Sequence, residues 1–133
     1  MILDTQFLGE LVEQNPNART KAAELDAADV VVRIPSLVVW EIFYGVSKAP
    51  PGKEEPLREA YEQLFEVKPV VDLDEELARD AGELRGRHSK SDDLRTLDGA
   101  DSAVAATALH YDEPVVSNDS DFQDVDGLSV ETY

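Results

Sequence analysis

The chain has 133 residues, 42% of them hydrophobic, which suits one domain with a core of its own. It contains no cysteine, so disulfides and thiolate metal sites are excluded, and no apolar run nears the ~20 residues needed to span a bilayer. Its 29 acids against 12 Lys and Arg give a net charge of −17, which counts against nucleic-acid binding through a basic surface unless a metal bridges the contact.

Aliphatic runs such as ADVVVRIP and SAVAATAL argue against disorder as the reason for so much acid. The N-terminus has no basic stretch leading into a long apolar one, so no secretory signal is expected and a cytoplasmic protein is the plain reading. Lysines are few and the acids are spread along the whole chain. At 1 M salt the Debye length is only about 3 Å, so surface acids barely repel one another. The composition therefore reads as a halophile surface.

The predicted elements run in the following order. MILD reads as a short buried strand over residues 1–4. TQFLGELVEQN (5–15) carries Phe7, Leu8 and Leu11 at helical spacing, and Asn15-Pro16-Asn17 breaks it. ARTKAAELDAA (18–28) is a second helix. DVVVRIP (29–35) reads as a strand with a Pro stop. Ser36 has the character of an N-cap for the helix LVVWEIFYGV, which Gly45 and the KAPPGK loop end. EEPLREAYEQLFEV (54–67) is amphipathic, and KPVVDL (68–73) is another strand. DEELARDAGELRGRH (74–88) has acids in its first turn and Arg and His in its last, in keeping with the helix dipole. A polar loop, SKSDDLRT, leads to the small-residue helix DGADSAVAATALHY. EPVVS and DGLSVETY supply the last strands.

Strands alternating with helices of ten or more residues predict an α/β fold: a central, mostly parallel sheet flanked by helices on both faces, as one domain over residues 1–133. Buried parallel strands read as continuous apolar runs, and MIL, VVV and PVV are such runs.

With 29 acids in 133 residues, about one position in five is acidic, so only an acid with a predictable structural address is informative. Open parallel sheets bind ligands outside the carboxyl ends of their strands. Asp4 stands where the first strand stops, and Asp119 just past PVVS. Glu41 sits among Leu37, Val38, Val39, Trp40, Ile42 and Phe43, company in which an unpaired charge is costly. Asp101 lies in the first turn of the helix that feeds the strand ending near Asp119.

Each acid has a plainer reading. Asp4 fits a helix cap, Asp98 and Asp101 fit a cap spacing, Asp119 fits the cap of a short turn with Asp121, and Glu41 fits an arginine pair. Taken together these need four separate accidents, whereas one metal site needs a single cause. Two charges 4 Å apart repel by about 4 kcal/mol at an effective dielectric near 20. A hard divalent cation such as Mg²⁺ or Mn²⁺ removes that penalty and suits phosphoryl chemistry.

At these residues the chain resembles the PIN-domain ribonucleases, in particular the VapC-like toxins of toxin–antitoxin pairs. MILDTQFL looks like the family's first strand and first acid, and the helix with Glu41 ending in Tyr44-Gly45 looks like its second motif. DSAVAATAL followed by PVVSNDSDF looks like its most recognisable segment. The resemblance implies a PIN-like α/β fold and a Mg²⁺- or Mn²⁺-dependent endoribonuclease leaving a 5′-phosphate and a 3′-hydroxyl. It makes Asp4, Glu41, Asp101 and Asp119 the metal and catalytic set, with Thr5 orienting the first acid, Asn118 beside the fourth, and Asp121 assisting Asp119. It also implies a homodimer and a small antitoxin lying across the pocket, with helices near 5–15 and 36–48 as contact surfaces. Gln6 and Trp40 are bulkier than the resemblance leads one to expect beside such a pocket.

Neither His88 nor His110 is assigned a catalytic role. His88 lies in RGRHSK, a basic cluster able to touch RNA phosphate and equally a dipole-matched helix end. The alternative from another class is a PIN-fold binding or assembly module without turnover. A haloacid-dehalogenase-like phosphatase needs a second Asp where Gln6 stands, and a calcium loop counted from Asp119 needs Gly where Asp124 stands.

Overall fold

The computed structural model describes every residue from Met1 to Tyr133. Five two-residue strands form its sheet: β1 (Ile2–Leu3), β2 (Ile34–Pro35), β3 (Val70–Val71), β4 (Val115–Val116) and β5 (Val130–Glu131). Helices α1 (Thr5–Val12) and α2 (Pro16–Ala27) follow β1, and α3 (Ser36–Ser47) and α4 (Glu54–Val67) follow β2. Helices α5 (Glu75–Lys90) and α6 (Gly99–Tyr111) lie between β3 and β4, and a 3₁₀ turn (Ser120–Asp124) precedes β5.

All pairings are parallel. β1 pairs with β4 in the register Ile2↔Val115 and Leu3↔Val116, β4 pairs with β5, and β2 pairs with β3. A bridge between Ile2 and Arg33 joins the two groups, giving the order β3-β2-β1-β4-β5. The first three strands build outward from β1 on one side and the last two on the other. The boundary between β1 and β4 is therefore the topological switch point, where the crevice of an open α/β sheet opens.

Successive strand residues point to opposite faces. Ile2, Leu3, Val115 and Val116 are all buried, so both faces of the central strands are covered. They join one core with Phe7, Leu8, Ile34, Val38, Val104 and Phe122. Helix α6 is buried nearly all round, and its Ala103 and Ala106 pack with Ala81 of α5 and Leu37 of α3. These small side chains let α6 approach both neighbours, which brings its N-terminus up to α3.

The DVVVRIP segment departs from expectation. Only Ile34 and Pro35 enter the ladder, while Val30 and Val31 are 36% and 57% exposed. The cause is the end of α2. Asp29 turns left-handed at φ 54°, and the Val30 N–H donates back to the Leu25 carbonyl at 3.2 Å, closing the helix and holding the valine off the sheet. Three other boundaries move. The first helix breaks before Asn15 as expected, but α2 starts two residues early, at Pro16, with Asn15 as its cap accepting from the Asn17 and Ala18 N–H groups. Ser36 opens α3 but does not cap it; its Oγ accepts from the Leu73 N–H at 3.0 Å and ties α3 to the segment after β3. Helix α5 continues through Lys90, taking two residues from the expected loop.

Phe122 is fully buried beneath the 3₁₀ turn. Phe122→Ala is expected to cost about 3–5 kcal/mol, read as a lower denaturant midpoint at unchanged m-value. An unchanged midpoint would mean that the turn lies outside the cooperative core.

Candidate functional site

Asp4 ends β1 and caps α1: its Oδ1 accepts from the Phe7 N–H at 2.8 Å, and the residue is 2% exposed. The β1–β4 register, carried one residue further, sets Asp4 beside Ser117. The fully buried Ser117 hydroxyl lies against the Asp4 carboxylate, and its Oγ also accepts from the Asp119 N–H at 2.9 Å. One serine thus links the acids at the ends of two adjacent strands. Asp119 in turn accepts from the Asp121 N–H at 2.9 Å and caps the 3₁₀ turn.

From the other side α6 delivers Asp101. Its N-cap is Asp98, whose Oδ1 accepts from the Asp101 N–H at 2.7 Å. Asp98 is engaged as a cap, and Asp101 in the first turn faces the crevice acids. Carboxylate oxygens of Asp101, Asp119 and Asp121 lie within 4.8 Å of one another. Asp4 and Glu41 stand close enough for their charges to act on Asp101. Of the four sequence-predicted acids, Asp101 and Asp119 meet in that close group together with Asp121, while Asp4 and Glu41 stand outside it within range of the Asp101 charge.

The electrostatics carry the mark of this crowding. Burial pushes the Asp101 carboxyl up from 3.8 to about 8, and the charges of Asp98, Asp119, Asp4 and Glu41 all add to the rise. Burial raises Asp4 to about 6, helped by Asp119 and Glu10 and opposed by Ser117 and the Phe7 N–H. Such a set holds more carboxylate than it can ionise unaided. All of its donors are oxygens, the chemistry of Mg²⁺ and Mn²⁺ sites rather than of soft metals. The residues present fit a hard divalent cation.

Several neighbours take roles the residue pattern did not assign. Ser117 and the Phe7 amide hold the Asp4 carboxylate. Asn118 pairs with the Tyr133 backbone in both directions at 2.9 Å and secures the chain's last residue beside β4. Arg95 clamps the turn that carries Asp121: its N–H donates to Asp124 Oδ2 and its Nη1 to the Ser120 carbonyl, both at 2.8 Å. The basic cluster RGRHSK disperses. His88 is 3% exposed, and its Nδ1 must be the donor to the Arg95 carbonyl at 2.9 Å, because a carbonyl only accepts. It is a structural histidine, out of reach of a phosphate. Arg87 pairs loosely with Glu83 at 3.8 Å. Arg85 lies beside the start of α6, its Nη1 3.6 Å from where a Cβ on Gly99 would stand.

The raised carboxyls predict a pH dependence. Folded Asp101 keeps its proton to about 8, whereas the unfolded chain releases it near 3.8. Between those values the folded state binds more protons, so metal-free stability falls as pH rises. The denaturant midpoint should therefore drop between pH 5.5 and 8, and Mn²⁺ should restore it at pH 8. Asp101→Asn should flatten the profile and raise the midpoint at pH 8 without metal. A profile identical in both proteins would mean that Asp101 is not under this strain.

No curated protein sequence matches the chain. Among solved structures it is similar to VapBC2 from Rickettsia felis bound to a DNA fragment from its promoter, at 23% identity and TM-score 0.82, covering 99% of this chain and 97% of that one. It is also similar to FitAcB from Neisseria gonorrhoeae, at 28% identity and TM-score 0.73, covering 97% and 94%. A third is VapC20 of Mycobacterium tuberculosis, a sarcin-ricin-loop-cleaving toxin, at 20% identity and TM-score 0.69, covering 92% of each chain. The family model of the PIN domain matches residues 1–128, nearly the whole molecule with every acid of the crevice inside the match, and the chain belongs to the PIN-domain family.

Proposed function

We propose that the chain is a divalent-metal-dependent endoribonuclease, the toxin of a toxin–antitoxin pair. The observation that carries this reading is the convergence of carboxylates at the β1–β4 switch point, with three of them offering oxygens within 4.8 Å of one another. The structural likeness to the VapBC2 and FitAcB structures, and to a toxin that cleaves the sarcin-ricin loop, supports the biological half.

In this reading Asp4, Glu41, Asp101 and Asp119 are the metal and catalytic residues for Mg²⁺ or Mn²⁺, with Asp121 beside them. The bound cation supplies positive charge to the attacked phosphate and acidifies water. The chain's own groups do the rest. Asp4 is held by the Phe7 amide and Ser117, so its geometry is set before substrate arrives. Asp101, crowded by its acidic neighbours, would be ionised with a cation held among them. One carboxylate then accepts the proton of the attacking water as water adds to phosphorus. The P–O3′ bond breaks and that proton passes through solvent to O3′, leaving a 5′-phosphate and a 3′-hydroxyl.

The partners in this reading are RNA, a second copy of the chain in a homodimer, and a small antitoxin that covers the crevice. A basic antitoxin side chain entering the acids would compete with the metal. None of the helices is long and apolar enough to cross a membrane, in keeping with action on RNA in the cytoplasm. Because the net charge is −17, activity is best sought in molar KCl, where acids repel little.

Two measurements test the proposal. Structured RNA incubated with Mn²⁺ should be cut, and Asp4→Asn should lower the rate roughly a hundredfold or more. Equal cleavage by both proteins, or none by either, would leave a PIN-fold module without turnover as the better account. Ser117→Ala should cut the rate about tenfold while raising the Mn²⁺ concentration required, because the two strand-end acids lose their shared tether. A rate loss that added metal does not relieve would assign Ser117 to stability alone.

A further inference from the structure

The outward face of α3 is the one strongly aromatic surface the acid site does not use. Trp40 and Tyr44 are 62% and 55% exposed, an unusual place for two large rings. They lie one helical turn apart with centroids at 6.0 Å and planes within 11° of parallel. The next turn places Lys48 on the same stripe, its Nζ 4.4 Å from the Tyr44 centroid. Half of the lysines and arginines of this acidic chain pair with carboxylates, whereas the exposed Lys48 lies against a ring instead. Glu41 is the residue after Trp40 and three before Tyr44, so the stripe borders the residue whose charge acts on Asp101.

Resting on the ribonuclease reading, we propose that Trp40, Tyr44 and Lys48 form a stacking platform that holds unpaired bases of single-stranded RNA against the acid site. Binding carried by many phosphate contacts is closed to a molecule with 29 acids and 12 Lys and Arg. Stacking avoids that difficulty: every base has a flat face, and its attraction to an aromatic ring needs no net positive charge. Two parallel rings pay little ordering entropy, since each is already held against its neighbour. The Lys48 ammonium, at the end of the stripe, is free to meet one backbone phosphate. Bases within a duplex have no free face, so the platform selects loops and single strands.

Trp40 is the only tryptophan, so its fluorescence reports on this face alone. The test titrates metal-free protein in EDTA with a synthetic mixed-sequence ten-nucleotide RNA, single-stranded or annealed to its complement, and follows the RNA in parallel by the anisotropy of a 5′ label. Saturable quenching by the single strand and not by the duplex is expected. Tyr44→Ala should weaken binding roughly tenfold, Tyr44→Phe should retain it, and Lys48→Ala should weaken it with a shallower salt dependence. RNA binding without a change in Trp40 emission, or equal binding by Tyr44→Ala with circular dichroism unaltered, would overturn the platform. Emission that changes with protein concentration and not with RNA would overturn it too, giving this face to a second copy of the chain. The Mn²⁺ cleavage assay separates the two claims. Quenching without cleavage refutes the ribonuclease and leaves the platform standing; cleavage without quenching refutes the platform alone.

Discussion

The crowding of like charge at the β1–β4 boundary is the constraint around which the rest of the molecule is arranged. Two carboxylates 4 Å apart cost several kcal/mol in a partly buried setting, more than a helix cap or one hydrogen bond returns. The fold offsets part of this with backbone. Asp4 at the start of α1 and Asp119 at the head of the 3₁₀ turn each accept from a backbone N–H, and Asp101 stands in the first turn of α6, near the positive end of its peptide dipoles. Glu41, in mid-helix, has no such compensation. The remainder appears as protons retained by Asp101 and Asp4.

Holding acids that repel requires a stiff frame. The parallel register fixes Asp4 against Ser117, and the Ser117 hydroxyl reaches both strand ends. The alanine face of α6 lets it sit between α3 and α5, which is how Asp101 comes within range of Glu41. Arg95 and the buried His88 pin the loop between α5 and α6 onto the turn that bears Asp121. Apart from Ser117, none of these contacts touches the crevice directly, yet each limits how far one carboxylate can retreat from another.

Much of this was legible in the residue pattern, for a physical reason. Apolar runs in a parallel sheet must stop at its edge, so the acid after MIL and the acid after PVVS had addresses before any coordinates were known. The order of strands and helices gave the α/β class in the same way. Ser117 was not legible, since a hydroxyl at a strand end has many uses and only the register selects one. The Arg95–Asp124 contact spans 29 residues and leaves no local trace. Three successive valines suggested a strand that the closing turn of α2 prevents, a case of tertiary context overriding propensity. Ser36 sat at the right boundary with the wrong partner, because its acceptor role is filled by an amide 37 residues away.

The strands are only two residues long, and that has a bearing on company. Outer strands β3 and β5 present so few unpaired backbone groups that a foreign peptide could gain almost nothing by lying alongside and extending the sheet. Recognition by another macromolecule is thereby left to side chains on helices, where shape and chemistry discriminate, and the indiscriminate adhesiveness of exposed sheet margins is avoided.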